Sequence, residues 1–263
     1  VRRVPWPQTH WNDRTVEASE QQALDELELA LQTPTAAVIL EPLIQGAGGM
    51  RVVRPQFLQA VEQQVRRAGS LLIADEVLAG FGRCGRLLAS QRAGIQPDLV
   101  ALSKGLTAGF LPMGITMASE AIFQEFLGSD PTKTLWHGHS FTANPLGCAA
   151  ANASLDLLEA DPACHEQFEQ RHQVRLERLA GHPRVQRVRL CGTIAAFDLV
   201  TNGEQGYLNP AGKVLRGLVR DQGVLIRPLG DVVYLLPPLC ISDDQLDQCY
   251  DALHSGLDAL PGL

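Results

Sequence analysis

The stretch LLIADEVLAGFGRCGRL (residues 71–87) opens on four apolar residues, Leu71–Ala74, and passes directly to Asp75. A short continuous apolar run, closed by a charged residue and followed by glycines, reads as a strand buried on both faces. Two neighbouring segments share this design. AAVIL (36–40) ends in Glu41, and DLVAL (98–102) is followed by Ser103 and Lys104. GITMA (114–118) is a fourth candidate strand. Between the first two lies a helix pattern, Pro55 to Ala68. Pro55 suits a first helical position, Phe57, Leu58, Val61 and Val65 share one face, and Gly69 follows as a stop. About thirty residues separate these two strands, which suits a βαβ crossover. The expected fold class is α/β, with parallel strands and helices on both sides of the sheet. Glu41, Asp75 and Lys104 would then gather at the carboxyl edge, where open α/β sheets bind ligands.

Working outward, Glu17 to Leu31 has a helical spacing of leucines among acidic residues, and Pro145 to Glu159 is a second long helix. Asp161-Pro162 breaks that pattern, and the texture changes beyond it. A polar helix (164–179) is expected, then strands at 185–190 and 193–199. A helix (210–221) and a hairpin-like pair, VLIR (224–227) and VVYLL (232–236), follow. Ser242-Asp243-Asp244-Gln245 has the form of a capping box and opens the last helix. The expected boundary lies near 160, with residues 1–160 belonging to a large α/β domain and 161–263 to a small α+β domain.

The composition excludes several classes. The chain has 263 residues, 45% of them hydrophobic, and a formal net charge of −7. No dense Lys/Arg run marks a nucleic-acid surface. No apolar run approaches the roughly 20 residues of a membrane span. VRRVPWPQTHW (1–11) lacks the apolar core of a secretory signal. The six cysteines are irregularly spaced, which argues against a zinc site or a disulfide framework and suits reduced thiols in the cytoplasm. The chain opens on Val1, and its first dozen residues read like a loop cut from something longer.

A lysine and a carboxylate delivered to one sheet edge suit pyridoxal 5'-phosphate. That cofactor needs a lysine for its Schiff base and a carboxylate that keeps the pyridine nitrogen protonated. Lys104 and Asp75 match these needs. Strand-end Asp and Lys residues are common on any α/β fold, so the pair alone does not decide the matter.

The wider sequence does. EPLIQGAGGM (41–50), LLIADEVLAGFGRCGRL (71–87), PDLVALSKGLTAGFLPMG (97–114) and HGHSFTANPLGCAAANASLDLLE (137–159) occur in an order and spacing that resemble the class III aminotransferases, above all their biotin-pathway branch. The resemblance runs from about Ala36 to the C-terminus. It implies a fold-type I pyridoxal-phosphate-dependent transferase, of which this chain is the C-terminal part. It implies Lys104 as the Schiff-base residue, Asp75 on the pyridine nitrogen and Val77 packed on the ring. It assigns Gly138, His139 and Ser140 to a segment reaching the neighbouring subunit's site, with His139 and Ser140 at the cofactor phosphate, and so implies a homodimer. It places Arg227 on the substrate carboxylate and Tyr234 near the substrate. The implied reaction is transfer of an amino group to 8-amino-7-oxononanoate, with S-adenosylmethionine as the expected donor and lysine as the alternative one. The alternatives are a class III enzyme acting on an ω-amino acid or diamine, or an inactive fragment. Leu78 and Cys84 depart from the family, which often has a smaller residue and a threonine there. The family's Gly/Ser-rich phosphate cup is expected upstream of these motifs.

Rival motifs are weaker. GFGRCG (80–85) satisfies a dinucleotide pattern, but Asp75 and Glu76 would put negative charge beside the pyrophosphate. GAGG (46–49) lacks the Lys-Ser/Thr of a phosphate loop. His137 and His139 have no nearby Cys or carboxylate to complete a metal site. Adjacent Asp75 and Glu76 should point to opposite sides, so they do not form a hydrolytic pair.

Overall fold

The computed structural model describes residues 1–262. The order begins α1 (Val16–Leu31), β1 (Ala37–Leu40), β2 (Ile44–Gln45), β3 (Arg51–Val52), α2 (Pro55–Arg67), β4 (Leu71–Asp75), α3 (Ala89–Ala93) and β5 (Leu99–Leu102). A single 3-10 turn, Lys104–Thr107, leads to β6 (Ile115–Ala118) and α4 (Glu120–Glu125). Then come α5 (Pro145–Ala160), α6 (Ala163–Glu166), α7 (Phe168–Ala180), β7 (Val185–Cys191), β8 (Ile194–Leu199), α8 (Ala211–Arg220), β9 (Val232–Leu235) and α9 (Asp243–Ala259). Among the described residues no helix is long and apolar enough to cross a membrane.

The first sheet has the order β1-β4-β5-β6. β1 and β4 are parallel with Leu40 opposite Ala74, and β4 and β5 are parallel with Asp75 opposite Ala101. This register places Glu41, Asp75 and the start of the Lys104 turn side by side at one edge. α2 begins on Pro55 and buries Phe57, Leu58, Val61 and Val65, in one cluster with Leu40 and Leu72. α5 contributes Ala151 and Leu158 to a second cluster with Ala74, Val100 and Leu102.

The fourth strand departs from the parallel expectation. β6 runs antiparallel to β5, with Leu102 opposite Ile115. A parallel crossover needs about a dozen residues or more, usually with a helix. The link from Leu102 to Ile115 holds only the 3-10 turn and a loop, so the chain folds straight back. The helical covering is also incomplete, since Ile39 and all of β6 are exposed.

The second sheet is antiparallel, β7-β8-β9, with α7, α8 and α9 packed around it. β8 is buried along its whole length. Ala195, Phe197 and Leu199 enter the core with α7–α9, while Ile194 and Ala196 join that of α2. The predicted VLIR strand is not formed. Val224 and Ile226 are buried and Leu225 and Arg227 are exposed, so the segment is extended, but it finds no ladder partner. Pro228 and Gly230 turn the chain after one bridge, Leu229 to Val232, and β9 pairs with β8 instead. At the last helix, Ser242 Oγ accepts from Gln245 N at 3.2 Å and Ser242 N donates to Gln245 Oε1 at 3.0 Å. This is the capping box read from the sequence.

Candidate active site

Lys104 opens the turn after β5 with φ +40°. A non-glycine residue in this region costs on the order of 1–3 kcal/mol and persists only where surrounding contacts hold it. Those contacts are visible. Ser103 Oγ donates to Met113 O at 2.6 Å, Gly109 N donates to Lys104 O at 3.2 Å, and Ser154 Oγ of α5 donates to Gly105 O at 3.1 Å. Phe81 presses on the same turn, because a Cβ on Gly105 would lie 2.7 Å from Phe81 Cβ. Phe81 is itself at φ +55°, and Leu43, Met50 and Ala108 also have positive φ. Such strained positions cluster where a loop framework is over-determined, as at functional sites. The Lys104 side chain is exposed, and its amine has no hydrogen bond or ion pair among the described residues.

Asp75 ends β4 half-buried, and its Oδ1 accepts from Val77 N at 3.1 Å. Glu41 ends β1, half-buried, and its Oε2 accepts from Gly46 N at 3.1 Å. Burial pushes the Glu41 carboxyl above its ordinary pKa. The Gly46 N–H opposes this, the charge of Asp75 adds to it, and the Lys104 ammonium opposes it. Asp75 and Lys104 are thus both within electrostatic reach of Glu41, in keeping with the parallel pairing of β1, β4 and β5. Leu78 lies directly over Gly46, where a Cβ would meet its Cδ2. It forms a wall beside the two carboxylates.

Glu76, next to Asp75, has a role the sequence did not reveal. It is fully buried, and its carboxylate accepts from Ala89 N at 2.5 Å and Ser90 N at 2.9 Å. It therefore caps the N-terminus of α3, where unsatisfied N–H groups and the helix dipole favour an anion. This also disposes of the dinucleotide pattern. The N–H groups that would meet a pyrophosphate are taken, and the glycines serve close packing. A Cβ on Gly80 would lie 2.9 Å from Glu76 O, and one on Gly82 2.9 Å from His165 Cβ. Cys84 and Cys191 are both buried free thiols, and they face one another. This contact, then burial, pushes the Cys84 pKa well up.

The remaining candidates fall in two places. Arg227 is exposed on the segment before β9, and Tyr234 is half-buried on β9. Burial raises the Tyr234 pKa, Arg227 opposes that rise and Tyr207 reinforces it, so these three form a second group. No hydrogen bond or ion pair joins Arg227 to Glu41, Asp75 or Lys104 among the described residues. Gly138, His139 and Ser140 are exposed on the loop before α5. That loop bonds to itself: His139 N donates to Thr142 Oγ1 at 3.0 Å, and Phe141 N donates to His139 Nδ1 at 3.2 Å. No hydrogen bond among the described residues joins it to Lys104.

This fold, with its lysine-bearing sheet edge, is that of the transaminases. A solved structure described as a transaminase with L-ala superposes at a TM-score of 0.87 with 31% identity, covering 97% of this chain and 63% of the other. The omega transaminase from Pseudomonas jessenii in complex with PMP superposes at 0.85 with 29% identity, covering 93% and 56%. Residues 1–257 match the family pattern of aminotransferase class-III, and the chain belongs to that family. The adenosylmethionine-8-amino-7-oxononanoate aminotransferase of Synechococcus elongatus is 54% identical over 99% of this chain and 61% of its own length. The protein of the same name from Geobacter sulfurreducens is 40% identical over 94% and 57%. The chain thus spans about three fifths of the length of these relatives.

Proposed function

We propose that this chain carries the lysine-bearing part of a pyridoxal-5'-phosphate-dependent aminotransferase acting on 8-amino-7-oxononanoate, with S-adenosylmethionine as amino donor. The observation that carries the reading is the convergence of Glu41, Asp75 and the unpaired Lys104 amine at the carboxyl edge of β1, β4 and β5. The substrate assignment is supported by the two relatives, which bear that activity in their names at 54% and 40% identity.

The donor set fits the ring end of the cofactor, which supplies the electron sink for breaking and making bonds at the amino-bearing carbon. Asp75, held by Val77 N–H, is placed to keep a proton on the ring nitrogen, and Val77 to pack on the ring. Lys104 Nζ would hold the cofactor and would serve as the general base for the proton at the amino-bearing carbon. Arg227 is free to offer two parallel charge-assisted bonds to the substrate carboxylate, with Tyr234 beside it. Gly138, His139 and Ser140 are exposed and share no hydrogen bond with Lys104 among the described residues, which suits service to a second subunit. His139 and Ser140 would there meet the cofactor phosphate, so the working unit is a homodimer. The division near residue 160 separates the lysine-bearing lobe from the one bearing Arg227. The cytoplasm is the fitting compartment for its reduced thiols.

A second reading, a class III aminotransferase acting on an ω-amino acid or diamine, is favoured by the likeness to the omega transaminase. Half-reaction assays on the chain supplied with cofactor separate the two. Turnover of 8-amino-7-oxononanoate, lost in Lys104→Ala, is expected. Brisk turnover of an unrelated keto acid with none of the oxononanoate would select the second reading.

A further inference from the structure

Arg189, on β7, is only 1% exposed and has no part in the site described above. A buried guanidinium needs a charge partner and acceptors for its donors. Asp198 Oδ1, on the neighbouring β8 and itself buried, accepts from Nη1 at 2.8 Å. The other bonds go to backbone carbonyls. Nε donates to Met50 O at 2.6 Å, Nη2 to Gly49 O at 2.6 Å, and Nη1 also to Arg187 O at 2.8 Å. The β7 register shifts between Gln186 and Arg189, with Arg187 at φ +49°. Bulges of this kind re-aim side chains.

Gly49 and Met50 close a turn that begins at Gly46. Both their N–H groups donate to Gly46 O, at 3.1 and 3.0 Å, and Met50 is held at φ +51°. The other end of the turn faces the reaction edge, where Gly46 N holds the Glu41 carboxylate and Leu78 lies over Gly46. One guanidinium in the second lobe therefore grips a turn whose far end sets a carboxylate and a wall beside Asp75 and Lys104.

We propose that Arg189 is a positioning residue for the reaction, acting through the 46–50 turn on Glu41 and Leu78. The proposal rests on the aminotransferase reading for what happens at that edge. A lysine cannot replace the grip, because a point-like ammonium does not span three carbonyls and a carboxylate as the planar fork does.

The test uses Arg189→Lys and the double variant Arg189→Met/Asp198→Leu. Replacing a buried pair with apolar residues of similar volume often preserves the fold, so the double variant keeps the test open should the single one not fold. Hydrogen-exchange mass spectrometry follows residues 41–53. Borohydride trapping at Lys104 gives the pyridoxal 5'-phosphate concentration for half-maximal labelling, and its pH profile. Exchange over 41–53 should rise about tenfold while α7 and α9 stay protected. Half-maximal labelling should need several-fold more cofactor, with a shifted pH profile. Folded variants with unchanged exchange, or with unchanged labelling and pH profile, would overturn the proposal. Absence of Lys104 labelling in the parent chain would instead refute the aminotransferase reading, leaving exchange to decide the grip on the turn.

Discussion

Gly105→Ala probes the contact that shapes the Lys104 turn. The added Cβ would lie 2.7 Å from Phe81 Cβ and 3.1 Å from both Phe81 Cγ and Cδ2. Ordinary contact begins near 3.4 Å, so several tenths of an ångström must be found. Phe81 cannot yield cheaply. It is 5% exposed, its backbone sits at φ +55°, and the closest atom is its Cβ, not the end of the ring. Overpacking of this kind costs about 1–3 kcal/mol, and the tight geometry argues for the upper part of that range. Gly105 has no positive φ, so alanine also gains about 0.4–1 kcal/mol through the unfolded chain. The net expectation is a loss of about 2 kcal/mol. Urea denaturation should show a lower midpoint at unchanged slope. In a Phe81→Gly background the alanine should instead stabilise by about 0.4–1 kcal/mol, giving a coupling energy of about 3 kcal/mol. A Gly105→Ala chain within about 0.5 kcal/mol of the parent, or a cost that persists beside Phe81→Gly, would refute the reasoning.

Two further outcomes follow from buried polar groups. Glu76→Gln turns an amide N–H₂ toward one of the α3 N–H donors and removes a charge from a fully buried cap. Urea denaturation should show a loss of about 3 kcal/mol, and an unchanged midpoint would contradict the capping role. His172 is bonded to Tyr250 Oη at 2.7 Å and Thr193 O at 3.1 Å, and burial lowers its pKa to about 4. Its folded pKa lies below the unfolded value of about 6.5, so the unfolded chain binds the proton more readily. The associated stability is complete above about pH 6.5 and is lost as pH falls towards 4, by about 3 kcal/mol. Denaturation at several pH values should show this decline, and His172→Phe should flatten it. An equally steep decline in His172→Phe would contradict the assignment.

What could be read from the sequence was local. The runs AAVIL, LLIAD and DLVAL announce strands because they are short, continuous and apolar, although Ile39 and Leu71 stay exposed, and each closing polar residue marks the carboxyl edge. α2 is legible from Pro55 and its apolar face, and α9 from Ser242 and Gln245 at a fixed spacing. The features that escaped depend on distant partners. VLIR has the composition of a strand, yet pairing depends on whether β8 offers it an edge, and β9 takes that edge instead. β6 turns back on β5 because its link carries only a 3-10 turn and a loop, with no crossover helix. Glu76 beside Asp75 looks like a possible catalytic neighbour until α3 presents its N–H groups. Arg189 sits in an ordinary-looking run, VRL, and its partners Met50 and Gly49 lie 139 and 140 residues away in sequence. Within the site, Lys104 and Asp75 were found by strand-end logic. Glu41 was found the same way but was given no role, because its contact with the Gly46 turn is a property of the folded loop.

Lys104 is the residue on which the functional reading turns, and the chain offers an internal control. Its lysines are Lys104, Lys133 and Lys213. Lys104 is the unpaired amine beside two carboxylates. Lys133 lies 3.9 Å from the exposed Glu125 carboxylate, far from the sheet edge in sequence. The decisive measurement is borohydride trapping with pyridoxal 5'-phosphate followed by peptide mapping of all three lysines. One label per chain, confined to Lys104 and lost in Lys104→Ala, is the expected result. Label spread evenly over the three lysines, or absent from Lys104 at saturating cofactor, would contradict it.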